Sequence, residues 1–149
     1  MLEAADVRKM NEADVVAVER LLASCPEAAQ WSPAVLLRDS TGVSRSLVAE
    51  AQGSVFGFIA MRIVAEEAEI LNLAVAPECR QRGVGRALLV AGLKSAREAG
   101  ARKIFLEVRG SNIGARALYA SSGFTKDGCR SKYYSDPVED ALVLSKGLP

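Results

Sequence analysis

The 149-residue chain contains no histidine. That absence removes Ser-His-Asp and Cys-His nucleophiles, histidine-based metal sites and a histidine general base together. Any proton transfer must fall to carboxylates, tyrosine, lysine, cysteine or a terminal amine. Cysteine is scarce too. Cys25, Cys79 and Cys129 match no zinc or redox spacing, and three is the wrong number for a disulfide framework. A reducing compartment is the simplest reading, and no metal is implied. An excess of either charge is also missing: 19 Lys and Arg stand against 18 Asp and Glu, a net of +1. This excludes a whole-surface attraction to nucleic acid, although it leaves room for a local basic patch. No apolar run approaches the ~18 residues of a membrane span. The opening MLEAADVRKM carries acids where a signal peptide has a positive region. The cytoplasm is therefore the expected location, with no membrane partner.

What is present is the balance of an ordinary globular domain: 50% hydrophobic and 25% charged residues. The length predicts one domain spanning 1–149 with a core large enough to need no staples. Residues 5–10 read as a short strand. The run 11–25 reads as a helix capped by Asn11, with Asp14 at its third position, Val15, Val18 and Leu22 on its apolar face and Pro26 as its stop. Ser32-Pro33 opens a second short helix through Arg38. Strands are expected at 46–51, 54–64 and 69–76, with turns at Gln52-Gly53 and 65–68, which together suggest an antiparallel meander. The period then changes. Val84, Leu88, Leu89 and Leu93 fall at helical intervals in 83–100. A strand at 103–109, a helix at 112–122 ended by Gly123, a strand at 124–129, a polar aromatic loop through 140 and a closing strand at 141–144 complete the reading. A meander followed by alternating strands and helices makes a single α/β (α+β) domain.

Between the strand at 69–76 and the long helix lies Arg80-Gln81-Arg82-Gly83-Val84-Gly85-Arg86. Two glycines allow a tight turn and a close approach of backbone to ligand. The first turn of the helix offers unpaired N–H groups and a positive dipole end, which suit a pyrophosphate. Arg80, Arg82 and Arg86 add guanidinium groups there. The plain alternative is a strand-to-helix turn with solvated arginines. The pattern is no P-loop, because no GK[ST] follows, and it does not complete a dinucleotide fingerprint.

The combination of RQRGVGRAL (80–88), FLEVRGSNIGARALYASSGF (105–124) and KYYSDPVEDALVL (132–144) resembles the GNAT superfamily of N-acetyltransferases, and within it the RimI-type ribosomal-protein-alanine N-acetyltransferases. Gln30-Trp31-Ser32 resembles an early motif of that branch, although the His-Pro that often precedes the Trp is absent. The resemblance implies a mixed, mostly antiparallel central sheet flanked by helices, with acetyl-CoA as cosubstrate in a cleft where two central strands splay. It places the pantetheine arm against Leu73, Ala74 and Val75 and the pyrophosphate against Arg80, Gln81, Arg82, Gly83, Val84, Gly85 and Arg86. Asn112 matches a residue that touches the arm. Glu107 matches the proposed general base and Tyr119 the general acid. The implied acceptor is the N-terminal α-amine of a protein, a small-subunit ribosomal protein with N-terminal Ala in that branch.

The chemistry is consistent with those roles. Acetyl transfer needs a neutral amine, and an α-amine of reference pKa about 7.7–8.0 is largely protonated near neutrality. One carboxylate, acting directly or through a water, suffices as base. Period-two alternation sets Glu107 with Phe105 and Arg109, away from the aliphatic face of Ile104, Leu106 and Val108. That face is either a cleft wall or a solvated surface. Tyr119 is a proton donor or a packed aromatic with a satisfied hydroxyl. Asn112 is a good N-cap, and its amide group remains free for a ligand. Lys132, Tyr133 and Tyr134 either line a peptide groove or decorate an exposed turn. Trp31 is a core anchor or a groove rim. With no base beside Cys79, direct transfer is favoured over an acyl-enzyme. Acetylation of lysine or small-molecule amines and a non-catalytic CoA-binding module remain open alternatives.

Overall fold

The computed structural model describes residues 6–28, 32–38, 42–135 and 137–149. Seven strands form one sheet: β1 (Asp6–Lys9), β2 (Ser44–Ala51), β3 (Ser54–Val64), β4 (Glu67–Val75), β5 (Lys103–Arg109), β6 (Thr125–Tyr134) and β7 (Glu139–Gly147). Their spatial order is β1-β2-β3-β4-β5-β7-β6. Only β4 and β5 run parallel. The mixed, mostly antiparallel sheet that the resemblance implies is therefore present.

Among the described residues four α-helices accompany it: α1 (Val15–Ala23), α2 (Pro33–Leu37), α3 (Val84–Glu98) and α4 (Ile113–Ser121). Their ends follow the capping logic of the sequence. Asn11 and Asp14 close a reciprocal capping box, but over a short 3-10 turn at Glu12–Asp14 that leads into α1. Arg8 grips the Asp14 carboxylate with two N–H donors at 2.8 and 2.9 Å and also reaches Glu50, tying β1 and β2 to this turn. Ser32 caps α2 by accepting from the Val35 N–H, with Pro33 in the first turn. α3 packs on the sheet where Gly57 leaves room: a β-carbon there would stand 2.8 Å from Leu88 Cδ1. Gly92 does the same from the helix side, beneath Ile59 and Met61. Alternation along β3 turns Phe56, Phe58 and Ala60 to the opposite face, toward α1. Burial on both faces explains why β3 is apolar almost throughout.

Several boundaries differ from the sequence reading, beginning with β2, which starts at Ser44 rather than 46. β4 starts at Glu67, because a tight turn with Ala65 at a φ of 55° replaces the longer one expected at 65–68. The segment expected as a loop from 128 to 140 is largely strand: β6 continues to Tyr134, so Lys132, Tyr133 and Tyr134 are strand residues. β7 runs from Glu139 to Gly147 rather than over 141–144 alone. Pairing with β7 holds β6 at Gly128 to Arg130 and again at Tyr134, despite the weak strand preference of Gly, Ser and Lys in this stretch, with register shifts after Lys126 and Arg130. Among the described residues no helix is long and apolar enough to cross a membrane.

Candidate active site

The parallel ladder between β4 and β5 is short. It pairs Glu67 with Lys103, Ala68 with Ile104, Glu69 with Phe105 and Ile70 with Leu106, and then stops. Beyond it the two strands diverge into a fork. A bulge helps to open the fork: Met61 pairs with Ile70 and Ala60 with Asn72, which leaves Leu71 as the extra residue of β4. Glu107 is the first β5 residue past the last parallel pair, so it stands at the vertex of the fork.

A cleft of about 850 Å³ occupies this fork. Glu107, Tyr119, Asn112, Leu73, Tyr133 and Tyr134 all line it. Residues from β5, α4, β4 and β6 thus converge on one space, although up to 61 positions separate Leu73 from Tyr134 in the chain. Lys132 lies on the same strand with its backbone N–H donated to Asp140, outside the lining. Trp31 lies outside the described residues.

Glu107 is deeply placed, its side chain 11% exposed. Its Oε1 meets Arg130 Nε at 3.3 Å. Its Oε2 is buried and has no hydrogen-bond partner. The Glu107 carboxylate, and then burial, hold the Tyr133 hydroxyl above its ordinary pKa. Burial, with Glu107 and Tyr133 adding to it, pushes Tyr134 up to about 12. Tyr119 is almost fully buried, its ring edge-on to Phe124 at 5.4 Å. Burial holds its pKa above the ordinary phenol value. It therefore stays protonated throughout the neutral range and is suited to donating a hydrogen bond into the cleft.

The β4 side of the fork presents backbone. Ala76 N–H donates to Phe56 O, so in the antiparallel ladder Ala74 also turns its peptide groups toward β3, opposite Phe58. By the same alternation Leu73 and Val75 direct theirs into the fork. The Val75 carbonyl already accepts from Arg80 Nε at 3.1 Å and from Cys25 Sγ at 3.5 Å. Arg80 also pairs with Glu27, so its guanidinium fastens the turn to the segment after α1.

After Arg80 the chain makes the turn that opens α3. Gln81 and Gly83 take φ values of 62° and 82° in the left-handed region. Gly83 is the N-cap of α3 and supplies no side-chain bond, so the first-turn N–H groups of the helix remain available. Gln81, Arg82, Gly83 and Arg86 are exposed around this end, and Val84 is buried beneath it. Arg86 bonds Ser121 Oγ at 2.8 Å, linking α3 to α4. Asn112 caps α4 through its side-chain oxygen to the Ala115 N–H at 3.2 Å, which leaves its amide nitrogen for the cleft it lines.

Some residues of the site were not singled out in the sequence. Asn72 is buried in the cleft wall, and its signal was a lone amide inside the apolar run ILNLAV. Arg109 lies 4.3 Å above the Tyr134 ring and 3.6 Å from Glu139, which in turn accepts from Ser111. Arg130 beside Glu107 had no sequence signal. A smaller hollow of about 540 Å³, with Phe105, Arg62 and Glu67 among its walls, adjoins the cleft through Glu69. Among the described residues no three His, Cys, Asp or Glu side chains cluster to hold a metal.

The sequence and the fold are similar to those of known proteins. The profile of the Acetyltransferase (GNAT) family matches residues 15–124. The [ribosomal protein bS18]-alanine N-acetyltransferase of Escherichia coli strain K12 is 38% identical over 95 residues, covering 62% of this chain and 64% of that protein's length. The crystal structure of the ribosomal-protein-S18-alanine N-acetyltransferase from Escherichia coli superposes with a TM-score of 0.83 at 28% identity, covering 97% and 94% of the two chains. Ard1 from Thermoplasma volcanium gives a TM-score of 0.86 at 30% identity over 98% and 99%.

Proposed function

The chain belongs to the Acetyltransferase (GNAT) family, and from that premise we propose that it transfers the acetyl group of acetyl-CoA directly to the N-terminal α-amine of a protein, in particular a ribosomal protein beginning with Ala. The observation that carries this reading is the fork with Glu107 at its vertex and Tyr119 on the facing helix, both lining one cleft. The relatives named for alanine acetylation support the acceptor.

The residues present fit acetyl-CoA as a substrate. Leu73 and Val75 offer peptide groups to an amide-bearing arm, Asn112 offers an amide nitrogen, and the exposed turn Gln81–Arg86 ahead of α3 offers N–H groups and arginines to a pyrophosphate. Acetyl-CoA contributes an activated acetyl thioester. Glu107, through the unpartnered Oε2, takes the proton that the amine must lose as the N–C bond forms. Tyr119 donates toward the sulfur as the C–S bond breaks. The elevated pKa of Tyr119 makes full proton transfer to sulfur unfavourable until the thiolate is itself desolvated in the cleft, so hydrogen-bond donation comes first. The proton gained by Glu107 returns through solvent to Tyr119, and the cycle closes without an acyl-enzyme. Tyr133 and Tyr134 on one side and Pro26–Ala28 on the other give an extended tail two walls to enter between. The reading keeps the reaction in the cytoplasm.

The test is CoA release from acetyl-CoA with peptides carrying free N-terminal Ala, Ser, Gly or Met, N-blocked peptides carrying lysine, and a polyamine. Turnover of the free N-termini, with Ala foremost and blocked peptides inert, is expected. Glu107→Gln and Tyr119→Phe should each lose about 10²–10⁴-fold in rate. Turnover of lysine or polyamine alone sinks the N-terminal reading.

A further inference from the structure

Resting on that reading, we infer that Arg130 is a positioning residue for Glu107: by holding Oε1 it fixes the carboxylate so that Oε2 faces the acceptor amine. Three observations converge. Arg130 Nε lies 3.3 Å from Oε1 of a side chain that is otherwise buried, while Arg130 itself is 58% exposed. Its guanidinium also sits over the Tyr133 ring at 5.6 Å, within reach of a cation–π contact. Tyr133 in turn faces Glu107. Arg130 thus holds one oxygen, with the Tyr133 ring beside its guanidinium, and the second oxygen is buried and without a partner.

The backbone explains why the brace exists. In β6 the register breaks after Arg130, and three residues, Ser131 to Tyr133, stand where β7 supplies Asp140 alone. Lys132 takes a φ of 50° within this bulge and its N–H is donated to Asp140. The bulge re-aims Tyr133 so that ring and guanidinium both turn toward Glu107. A carboxylate with two equivalent oxygens and one free torsion would otherwise sample orientations, and a base displaced by a fraction of an ångström loses rate steeply. A guanidinium fork can pin one oxygen without taking the other.

The experiment compares Arg130→Gln, Arg130→Lys, Glu107→Gln and the double variant R130Q/E107Q on whichever amine the wild type acetylates. Failure of the acceptor reading then appears in the wild type, separately from Arg130. R130Q should lower kcat on the order of tenfold, with the KM values for acetyl-CoA and peptide unchanged. R130K should recover part of the loss. R130Q/E107Q should be no slower than E107Q alone, because Arg130 acts through Glu107. A raised peptide KM with kcat intact, or losses that multiply in the double variant, overturns the proposal. A crystal structure of R130Q gives a readout independent of turnover. A Glu107 carboxylate rotated or disordered relative to wild type supports the brace, and an unchanged one overturns it.

Discussion

A β-carbon placed on Gly85 would stand 3.2 Å from Leu118 Cδ2. The turn proposed to hold the pyrophosphate is therefore packed directly onto α4, one residue from Tyr119. Gly85→Ala should displace the start of α3 against α4, raising the acetyl-CoA Kd on the order of tenfold, while the helix preference of Ala over Gly, about 1 kcal/mol, offsets the crowding in stability. Gly83→Ala is the contrasting case. Nothing lies within 4 Å of its β-carbon, but its φ of 82° makes the cost conformational, about 1–2 kcal/mol. Isothermal titration with acetyl-CoA and urea unfolding of both variants check the pair. An unchanged acetyl-CoA affinity in Gly85→Ala would count against this coupling of turn and helix.

Asn112 is assigned two duties, a cap for α4 and an amide for the ligand, and they separate on substitution. Asn112→Ala should lose about 1 kcal/mol of stability together with acetyl-CoA affinity. Asn112→Ser keeps a capping oxygen and should retain stability, yet it should bind acetyl-CoA more weakly, because the amide donor is gone. Equal affinity in wild type and Asn112→Ser would reduce the residue to its cap.

How much of this was legible beforehand follows from where the signals live. Caps and helical periods are local, so Asn11, Ser32-Pro33 and Asn112 marked three helix starts from sequence alone. Alternation correctly separated Glu107 from Ile104, Leu106 and Val108, all three of which are buried. It did not decide whether the other face was wall or solvent, since that depends on β6 and α4. The segment 128–134 read as a loop because Gly, Ser and Lys carry weak strand preference and every side chain from Cys129 to Tyr133 is exposed. Its strand state is imposed by β7, which enters the sheet between β5 and β6. Arg130 was invisible for the same reason: its partner lies 23 positions away and meets it only across that inserted strand.

The buried phenols set an alkaline dependence. Tyr119 and Tyr134 both ionise less readily in the folded chain, chiefly through burial. The folded state then holds protons that the unfolded chain releases above the reference pKa of about 10. Their contribution is fully present below that pH and is lost as pH rises through the folded values, about 12 for Tyr134. Urea midpoints between pH 9 and 11 should fall for wild type and fall less steeply for Tyr119→Phe, which keeps the ring against Phe124. Parallel slopes would show that another group governs the decline.

The short ladder between β4 and β5 has a thermodynamic corollary. At Leu73 and Val75 the sheet is an unfinished zipper, with backbone groups facing a gap too wide for β5 to close. On the proposed reading, a ligand arm carrying amides acts there as a surrogate strand, and binding it pairs backbone groups that β5 leaves open. Acetyl-CoA should therefore slow amide hydrogen exchange at Leu73 and Val75 and raise the melting temperature with ligand concentration. On that reading the substrate supplies, in part, the rungs missing between two interior strands of the sheet.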